Sequence, residues 1–258
     1  MPSKPLRLIT LPISHYCEKV RWALDRQGTH YVEEPHAPLL HAFFTMPLSG
    51  GTSRTVPILV DENFSPRRVM ADSTDCLRYL AEHFGASWLY ASPEAAQIEE
   101  ELDQKLGPAT RRFAYFYMLP DPRSAEVLTE LTPSWEAAIV RPVFPLVRWI
   151  MKRGMRIDAT GAERSLVTLR EIMNKYSERL ADGRPYLCGD AFSAADLSLA
   201  TLAVPVLFPK GYAKITMRDI STLPGPLRSE IERQRESRAG QLVMRLFAQE
   251  RTKTLRSA

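Results

Sequence analysis

The chain has 258 residues, of which 45% are apolar and 25% charged, and a formal net charge of +4. This composition is ordinary for a globular protein and excludes a largely disordered chain. It also argues against a nucleic-acid surface, because the whole positive excess lies in residues 226–258, with eight basic and four acidic residues. Apolar residues recur at helical spacing in that segment, so we predict a docked final helix with a solvated basic face; a weak contact of the segment with acidic partners or a membrane surface is the alternative.

Cysteine usage and hydropathy indicate a compartment. The three cysteines, Cys17, Cys76 and Cys188, lack disulfide-scaffold spacing, which fits a reducing environment. No secretory leader is evident, and the weakly polar run Leu199–Phe208 has about half the length that a membrane span needs. We expect a cytoplasmic protein with no membrane partner and no nucleic-acid partner.

Residues 1–85 alternate short strands with helices. The order is βαβ followed by ββα, which predicts a mixed sheet covered by helices. The predicted strands are Leu6–Leu11, Tyr31–Glu34, Pro57–Asp61 and Arg67–Met70, and the predicted helices are His15–Gln27, Pro38–Met46 and Asp72–Phe84.

From residue 93 onward the pattern is helical, after a linker at Gly85–Ser92. A capping box, with Ser193 as N-cap and Asp196 three residues later, begins one of these helices. The fold class is therefore α/β followed by all-α. The predicted helices span 94–118, 124–152, 161–181, 193–208 and 226–249.

Three short segments carry the chemistry. Ser14 lies at a strand-to-helix turn, where free backbone N–H groups and the helix dipole favour an anion or a thiolate; a simple N-cap serine is the alternative. A cis peptide bond at Val56-Pro57 would present backbone groups to an extended peptide, whereas a trans proline would merely open an edge strand. Asp72-Ser73 begins a helix, either as a cap or as a ligand site as well.

Together these segments resemble the thioredoxin-like half of a soluble glutathione transferase, and the capping box at Ser193 resembles the buried capping motif of that family's second domain. The resemblance is closest to the serine-type bacterial members. It implies a thioredoxin-like, glutathione-binding domain over 1–85, an all-helical domain over 93–258 that forms the electrophile side of the cleft, and a homodimer. It implies no metal.

The resemblance also implies roles for individual residues. Ser14 would stabilise the glutathione thiolate, and Val56 and Pro57 would pair with the peptide backbone of glutathione. Asp72 and Ser73 would receive its γ-glutamyl amine and carboxylate. His41 would lie against the glycyl carboxylate, unless it is a solvent-facing surface residue.

The electrophile is expected between the domains. Candidate residues come from the first turn of the first helix and from an aromatic, basic run on the first long helix of the second domain; core packing is the alternative for that run. They are His15, Tyr16, Arg111, Arg112 and Tyr115.

The predicted reaction is attack of a bound glutathione thiolate on a small hydrophobic electrophile. Three alternatives stay open at this point. They are a glutathione-dependent isomerase or dehalogenase of the same fold, a non-catalytic scaffold for protein contacts, and a thiol–disulfide oxidoreductase that uses Cys17. A buried, apolar role is the other interpretation of Cys17.

Overall fold

The computed structural model describes residues 4–212 and 219–251, and its first part is a four-stranded mixed sheet. The strand order is β2-β1-β3-β4; β1 is parallel to β2 and antiparallel to β3, which is antiparallel to β4. The predicted sheet is confirmed, with strand ends within one residue of the prediction. The strands are β1 (Leu6–Thr10), β2 (Tyr31–Pro35), β3 (Ile58–Asp61) and β4 (Arg68–Met70).

Three helices accompany the sheet: α1 (His15–Gln27), α2 (His41–Leu48) and α3 (Ser73–His83). Helix α1 ends at Gly28, whose φ of +67° is one that glycine adopts without strain. Helix α2 begins three residues later than predicted, because Leu39 takes a left-handed conformation with φ +69° and interrupts the helical path.

The remainder of the described chain is helical, as predicted. The predicted helix 124–152 is wrong in one respect, since it is three helices, interrupted at Leu131 (φ +63°) and again near Pro142. The predicted helices 193–208 and 226–249 are likewise divided, at Ala203 and Ser237. The α-helices are α4 (Pro93–Glu101), α5 (Gly107–Met118), α6 (Ser124–Thr129), α7 (Ser134–Val140), α8 (Phe144–Gly154), α9 (Ala159–Arg179), α10 (Ala194–Leu202), α11 (Val204–Leu207), α12 (Gly225–Glu236) and α13 (Arg238–Leu246).

The two parts share one core. Helix α1 packs against α3 on one side and against α10 on the other, and the largest apolar cluster runs through residues of both parts, including Trp22, Leu77 and Leu197. The predicted capping box of α10 is present: Asp196 accepts hydrogen bonds from the N–H of Ser193 (3.0 Å) and of Leu187 (2.7 Å). A separate, smaller cluster lies under α7 and α8; its members are Ala37, Leu119, Leu128, Val140, Phe144, Val147, Met151 and Ile157.

The final helix α13 buries its apolar face, including Leu242, Val243 and Leu246, which confirms the docked helix predicted for the basic tail. Residue Arg251 follows it and is itself buried, with ion pairs to Glu18 (2.8 Å) and Asp25 (2.6 Å) on α1. The rest of the tail, residues 252–258, lies outside the described residues. Among the described helices none combines the length and hydropathy needed to cross a membrane.

Candidate functional site

A cavity of about 520 Å³ opens between the sheet-containing part and the first helices of the helical part. Its walls come from the first turn of α1, the segment before β3, the start of α3, and the stretch from α4 to α5. The lining residues are Tyr16, Thr55, Val56, Pro57, Ala71, Asp72, Ser73, Thr74, Asp75, Arg78, Glu100, Asp103, Gln104 and Arg111.

Two of the predicted motifs meet in this cavity. The Val56–Pro57 peptide bond is cis, as predicted, and both residues line the cavity wall. On the same wall, Asp72 caps α3 by accepting a hydrogen bond from the Thr74 N–H at 2.8 Å, and Ser73 is buried. The structure therefore brings together backbone groups before β3 and a carboxylate at a helix N-terminus.

Ser14 is the N-cap of α1, as predicted, with extended backbone and its Oγ accepting a 3.4 Å hydrogen bond from the Cys17 N–H. It is half-buried and is not one of the residues that line the cavity, although Tyr16, two residues later, is. A hydroxyl that accepts one bond keeps its own proton for donation. Ser14 can therefore both cap the helix and donate to an anion at its N-terminus.

The loop that carries Ser14 is anchored through its carbonyls. The Arg21 guanidinium donates to the carbonyls of Leu11 (3.5 Å) and Pro12 (3.2 Å). From the helical part, the Tyr212 hydroxyl donates to the carbonyl of Ile13 at 2.5 Å. These contacts fix the position of Ser14 relative to both parts of the molecule.

Of the residues predicted for the electrophile side, Tyr16 and Arg111 line the cavity. The Tyr16 hydroxyl donates to the backbone carbonyl of Asp103 at 2.9 Å, and burial raises its pKa. His15 is buried with Nε2 at 3.2 Å from the carbonyl of Gly107, and burial lowers its pKa to about 3, so the ring is neutral.

Three of the predicted residues therefore stand apart from the cavity lining. They are His15, Arg112, which donates to the Met155 carbonyl (3.0 Å) and to Ser165 Oγ (3.0 Å), and Tyr115, which packs against the cluster under α7 and α8.

His41 begins α2 and also lies outside the cavity lining. Its Nδ1 is 3.4 Å from the carbonyl of Ala37, and burial lowers the pKa of its imidazole. A lowered pKa disfavours the imidazolium that pairing with a carboxylate needs. The role of His41 stays a prediction.

Sequence reasoning missed a buried ionic cluster that forms the floor beneath the cavity. The Lys19 ammonium on α1, with its side chain fully buried, lies 2.7 Å from both Glu99 and Asp103. Burial works to lower the pKa of Lys19, but the two carboxylates outweigh it and the pKa is raised. The Thr74 hydroxyl lies 2.8 Å from Asp103 and so connects α3 to the same cluster.

Asp103 is the member of this cluster that also lines the cavity. Burial raises its pKa in spite of the neighbouring Lys19 ammonium, and its Oδ1 is a buried oxygen without a hydrogen-bond partner in the described part of the chain. It stands in a π-helical turn, residues 102–106, between α4 and α5. Such turns often mark functional sites. No sequence pattern predicts one here, so the run 94–118 reads as a plain helix.

Cys17 is fully buried on the inner side of α1, and burial raises the pKa of its thiol. A reactive cysteine needs the opposite setting, one that is accessible and favours the thiolate. The structure therefore supports the buried, apolar interpretation of this residue. Within residues 4–212 and 219–251, no three His, Cys, Asp or Glu side chains are grouped so as to hold a metal ion.

Two family models match the chain. One describes the N-terminal domain of glutathione S-transferases and matches residues 8–88, and the other describes their C-terminal domain and matches residues 159–225. A comparison with curated protein sequences finds no match.

Solved structures share the fold. A glutathione transferase family member from Pseudomonas fluorescens pf-5, with two glutathione bound, is 16% identical over 98% of this chain and 92% of its own, with a TM-score of 0.61. A glutathione transferase from Burkholderia graminis is 17% identical over 93% and 88%, with a TM-score of 0.54, and poplar glutathione transferase F1 is 15% identical over 95% and 98%, also at 0.54. With both domain models matched in order and the same fold in these structures, the chain belongs to the glutathione S-transferase superfamily.

Proposed function

We propose that the protein is a glutathione transferase of the serine type, in which Ser14 stabilises the thiolate of bound glutathione for attack on a small hydrophobic electrophile. The observation that carries the proposal is the meeting of Val56-Pro57 and Asp72-Ser73 on the wall of one cavity. The structures from Pseudomonas fluorescens pf-5 and Burkholderia graminis, whose crystals contain glutathione, support glutathione as the co-substrate.

The charges of the cavity suit the ends of glutathione. An α-amino acid end carries one ammonium and one carboxylate. The Asp72 carboxylate at the start of α3 would accept hydrogen bonds from the ammonium of glutathione. The Ser73 hydroxyl and backbone N–H would donate to the carboxylate of glutathione. The buried Lys19 cluster holds Thr74 and Asp103 in place behind them. Extended backbone at Val56 would pair with the peptide in the manner of an added strand.

Ser14 would supply the chemistry. A thiol with the reference pKa of about 8.5 is only slightly ionised at neutral pH, and lowering that pKa by about two units stabilises the thiolate by roughly 2.7 kcal/mol. A donated hydroxyl hydrogen bond and the N-terminus of α1 would provide this. The proton leaves with solvent, and the sulfur forms the new bond to carbon as the leaving group departs. The proposal includes a homodimer, as the resemblance implies, and a cytoplasmic location, as the cysteine usage and hydropathy of the sequence indicate.

The test is a calorimetric titration of glutathione into the wild type and three variants, with the thiolate absorbance of bound glutathione followed against pH. Asp72→Asn keeps a side chain that caps helices well but removes the charge, so it separates the ligand role from the structural one. Ser14→Ala tests the hydroxyl, and Glu82→Ala removes an exposed carboxylate at the far end of α3 as the control.

We expect at least a tenfold weaker affinity in Asp72→Asn, which is about 1.4 kcal/mol, a raised thiolate pKa in Ser14→Ala, and no change in Glu82→Ala. A wild type that binds no glutathione would refute the enzyme and favour the scaffold. Binding with an unshifted thiolate pKa would refute the role of Ser14 alone.

A further inference from the structure

A solvent-exposed apolar stripe runs along the two helices α7 and α8. Trp135 is 54% exposed, Leu146 58% and Trp149 58%, whereas Trp22 in the core is fully buried. The exposed apolar residues are Leu131, Trp135, Ile139, Val143, Leu146, Trp149 and Ile150. Within α7, Trp135 and Ile139 are four residues apart, and within α8, Leu146 precedes Trp149 by three residues and Ile150 by four, which is the spacing of one helix face.

The stripe takes no part in the protein core. The alternate face of the same two helices, with Val140, Phe144, Val147 and Met151, is buried in the smaller apolar cluster. One side of the two helices therefore packs against the protein core. The opposite side exposes Trp135 and Trp149, and no described residue buries either ring. Contiguous exposed apolar surface of this kind is typical of an interaction site.

Basic side chains outnumber acidic ones along the stripe. Between residues 131 and 157 the sequence has five basic residues and one acidic residue, Glu136. Glu136 is fully buried, paired with His36 at 2.7 Å and with the N–H of Ala37 at 2.5 Å, so it neutralises nothing at the surface. Among residues 4–212 and 219–251 no ion pair involves Arg148, Lys152 or Arg153.

The chain outside the described ranges cannot supply the missing negative charge either. Residues 1–3, 213–218 and 252–258 contain no Asp or Glu. A second copy that docked by its own stripe would bring no exposed acidic side chain of α7 or α8 to these cations, because the one acidic residue of those helices, Glu136, is buried. An occupant that is both apolar and negatively charged meets both requirements.

We propose that α7 and α8 bind the surface of an anionic phospholipid membrane, with the stripe in the headgroup–acyl boundary and Arg148, Lys152 and Arg153 at the lipid phosphates. Interfacial helices carry this combination of Trp and Leu on one face with Lys and Arg beside it. Arg153 already lies over the Trp149 ring, 5.7 Å from its centroid, so a cation and an indole would enter the interface together. A helix that lies on a membrane need not be long enough to cross it, and the expectation of no membrane partner would then be wrong.

The experiment is co-sedimentation of the full chain with vesicles of phosphatidylcholine alone and of phosphatidylcholine with phosphatidylglycerol, without glutathione. The apolar variant is Leu146→Ser with Trp149→Ser, and the charge variant is Lys152→Glu with Arg153→Glu. The matched controls are Phe43→Ser, at a 74% exposed apolar residue elsewhere on the surface, and Arg238→Glu, at an exposed cation on α13. Circular dichroism and urea midpoints establish that all four fold.

We expect binding to the anionic vesicles that weakens with salt, at least a tenfold loss in both stripe variants, and a change of less than about twofold in the controls, since each basic residue near such a surface is worth about a fivefold change in affinity. Absence of binding to anionic vesicles, or binding that the stripe variants leave unchanged, would overturn the proposal.

Sedimentation velocity in the absence of lipid adds a second readout. If the protein does not bind vesicles but self-associates, and if Leu146→Ser with Trp149→Ser abolishes the self-association, the stripe binds a second copy instead. None of these readouts depends on glutathione, so the membrane proposal and the transferase proposal stand or fall separately.

Discussion

Removing the Lys19 ammonium tests whether the buried ionic cluster holds the cavity floor. Lys19 and Glu99 are almost fully buried, and Asp103 is 13% exposed. In the wild type the carboxylates of Glu99 and Asp103 each lie 2.7 Å from the Lys19 ammonium, and Lys19→Met would leave both without a cation. Breaking one partner out of a buried ion pair costs about 3–5 kcal/mol, which for a chain of this size lowers the melting temperature by roughly 6–20 °C.

The pH dependence of that loss identifies its cause. Without Lys19, the folded-state pKa of Asp103, which burial already raises, would rise further above its unfolded value. A carboxyl group with a raised folded pKa contributes stability below its unfolded pKa and loses it as pH rises through the folded pKa. The destabilisation should therefore be large at neutral pH and shrink as pH falls toward the usual carboxyl range of about 4.

Urea unfolding of wild type, Lys19→Met and Lys105→Met at neutral and acidic pH makes the comparison. Lys105 is the control, because it pairs with Glu101 at 3.1 Å on the surface and is 55% exposed; such pairs are worth about 0–1 kcal/mol. A loss of stability in Lys19→Met no larger than that in Lys105→Met would show that the buried cluster does not stabilise the fold. A loss that stayed the same in acid would show that the uncompensated carboxylates are not its cause.

Four further outcomes follow from single contacts. Asp196→Ala should cost about 3 kcal/mol in thermal unfolding, because it leaves the buried N–H groups of Leu187 and Ser193 without an acceptor; Asp190→Ala, at an exposed position, should be neutral. Gly107→Ala should weaken glutathione binding, since the added Cβ overlaps the Tyr16 ring; Gly154→Ala, with nothing within 4 Å, should not. Native thiol labelling should modify Cys188, which is partly exposed, well before Cys17 and Cys76, which are buried. Finally, the pKa of His15 falls from 6.5 to about 3 on folding. Below pH 6.5 the unfolded chain takes up a proton that the folded protein does not, so this residue should lower the free energy of unfolding by about 1.4 kcal/mol per pH unit. The slope of that free energy against pH should be shallower for His15→Gln.

The sequence was sufficient wherever local chemistry and regular backbone agree. Strand ends in the first part fall within a residue of prediction, and α1 ends at Gln27 as predicted, because Gly28 takes the left-handed conformation that stops a helix. Local patterns identify Val56-Pro57 and Asp72-Ser73 as separate segments, and the fold places them on one wall. Local patterns could identify each motif but not their distance from Ser14.

The missed part of the site depends on irregular backbone. Asp103 belongs to a π-helical turn that shifts the helix register by one residue. Periodicity assigns faces on the assumption of 3.6 residues per turn, so it cannot foresee which side chain such a turn directs at Lys19. Arg112 shows the same limit. The aromatic, basic run around it predicts a cavity residue, but its guanidinium donates to the carbonyl of Met155, which is distant in sequence.

The segment between the two matched domains shows why an apolar helix in a sequence need not be a buried one. Residues 134–151 are apolar on nearly every side, a pattern that predicts a core helix. The structure buries only the side with Val140, Val147 and Met151. Glu136, through His36 and Ala37, attaches this segment firmly to the sheet-containing part, so no hinge is needed to bring the remaining apolar side into contact with a partner. Packing among the described residues accounts for one side of α7 and α8, and the membrane proposal accounts for the exposed tryptophans on the other side.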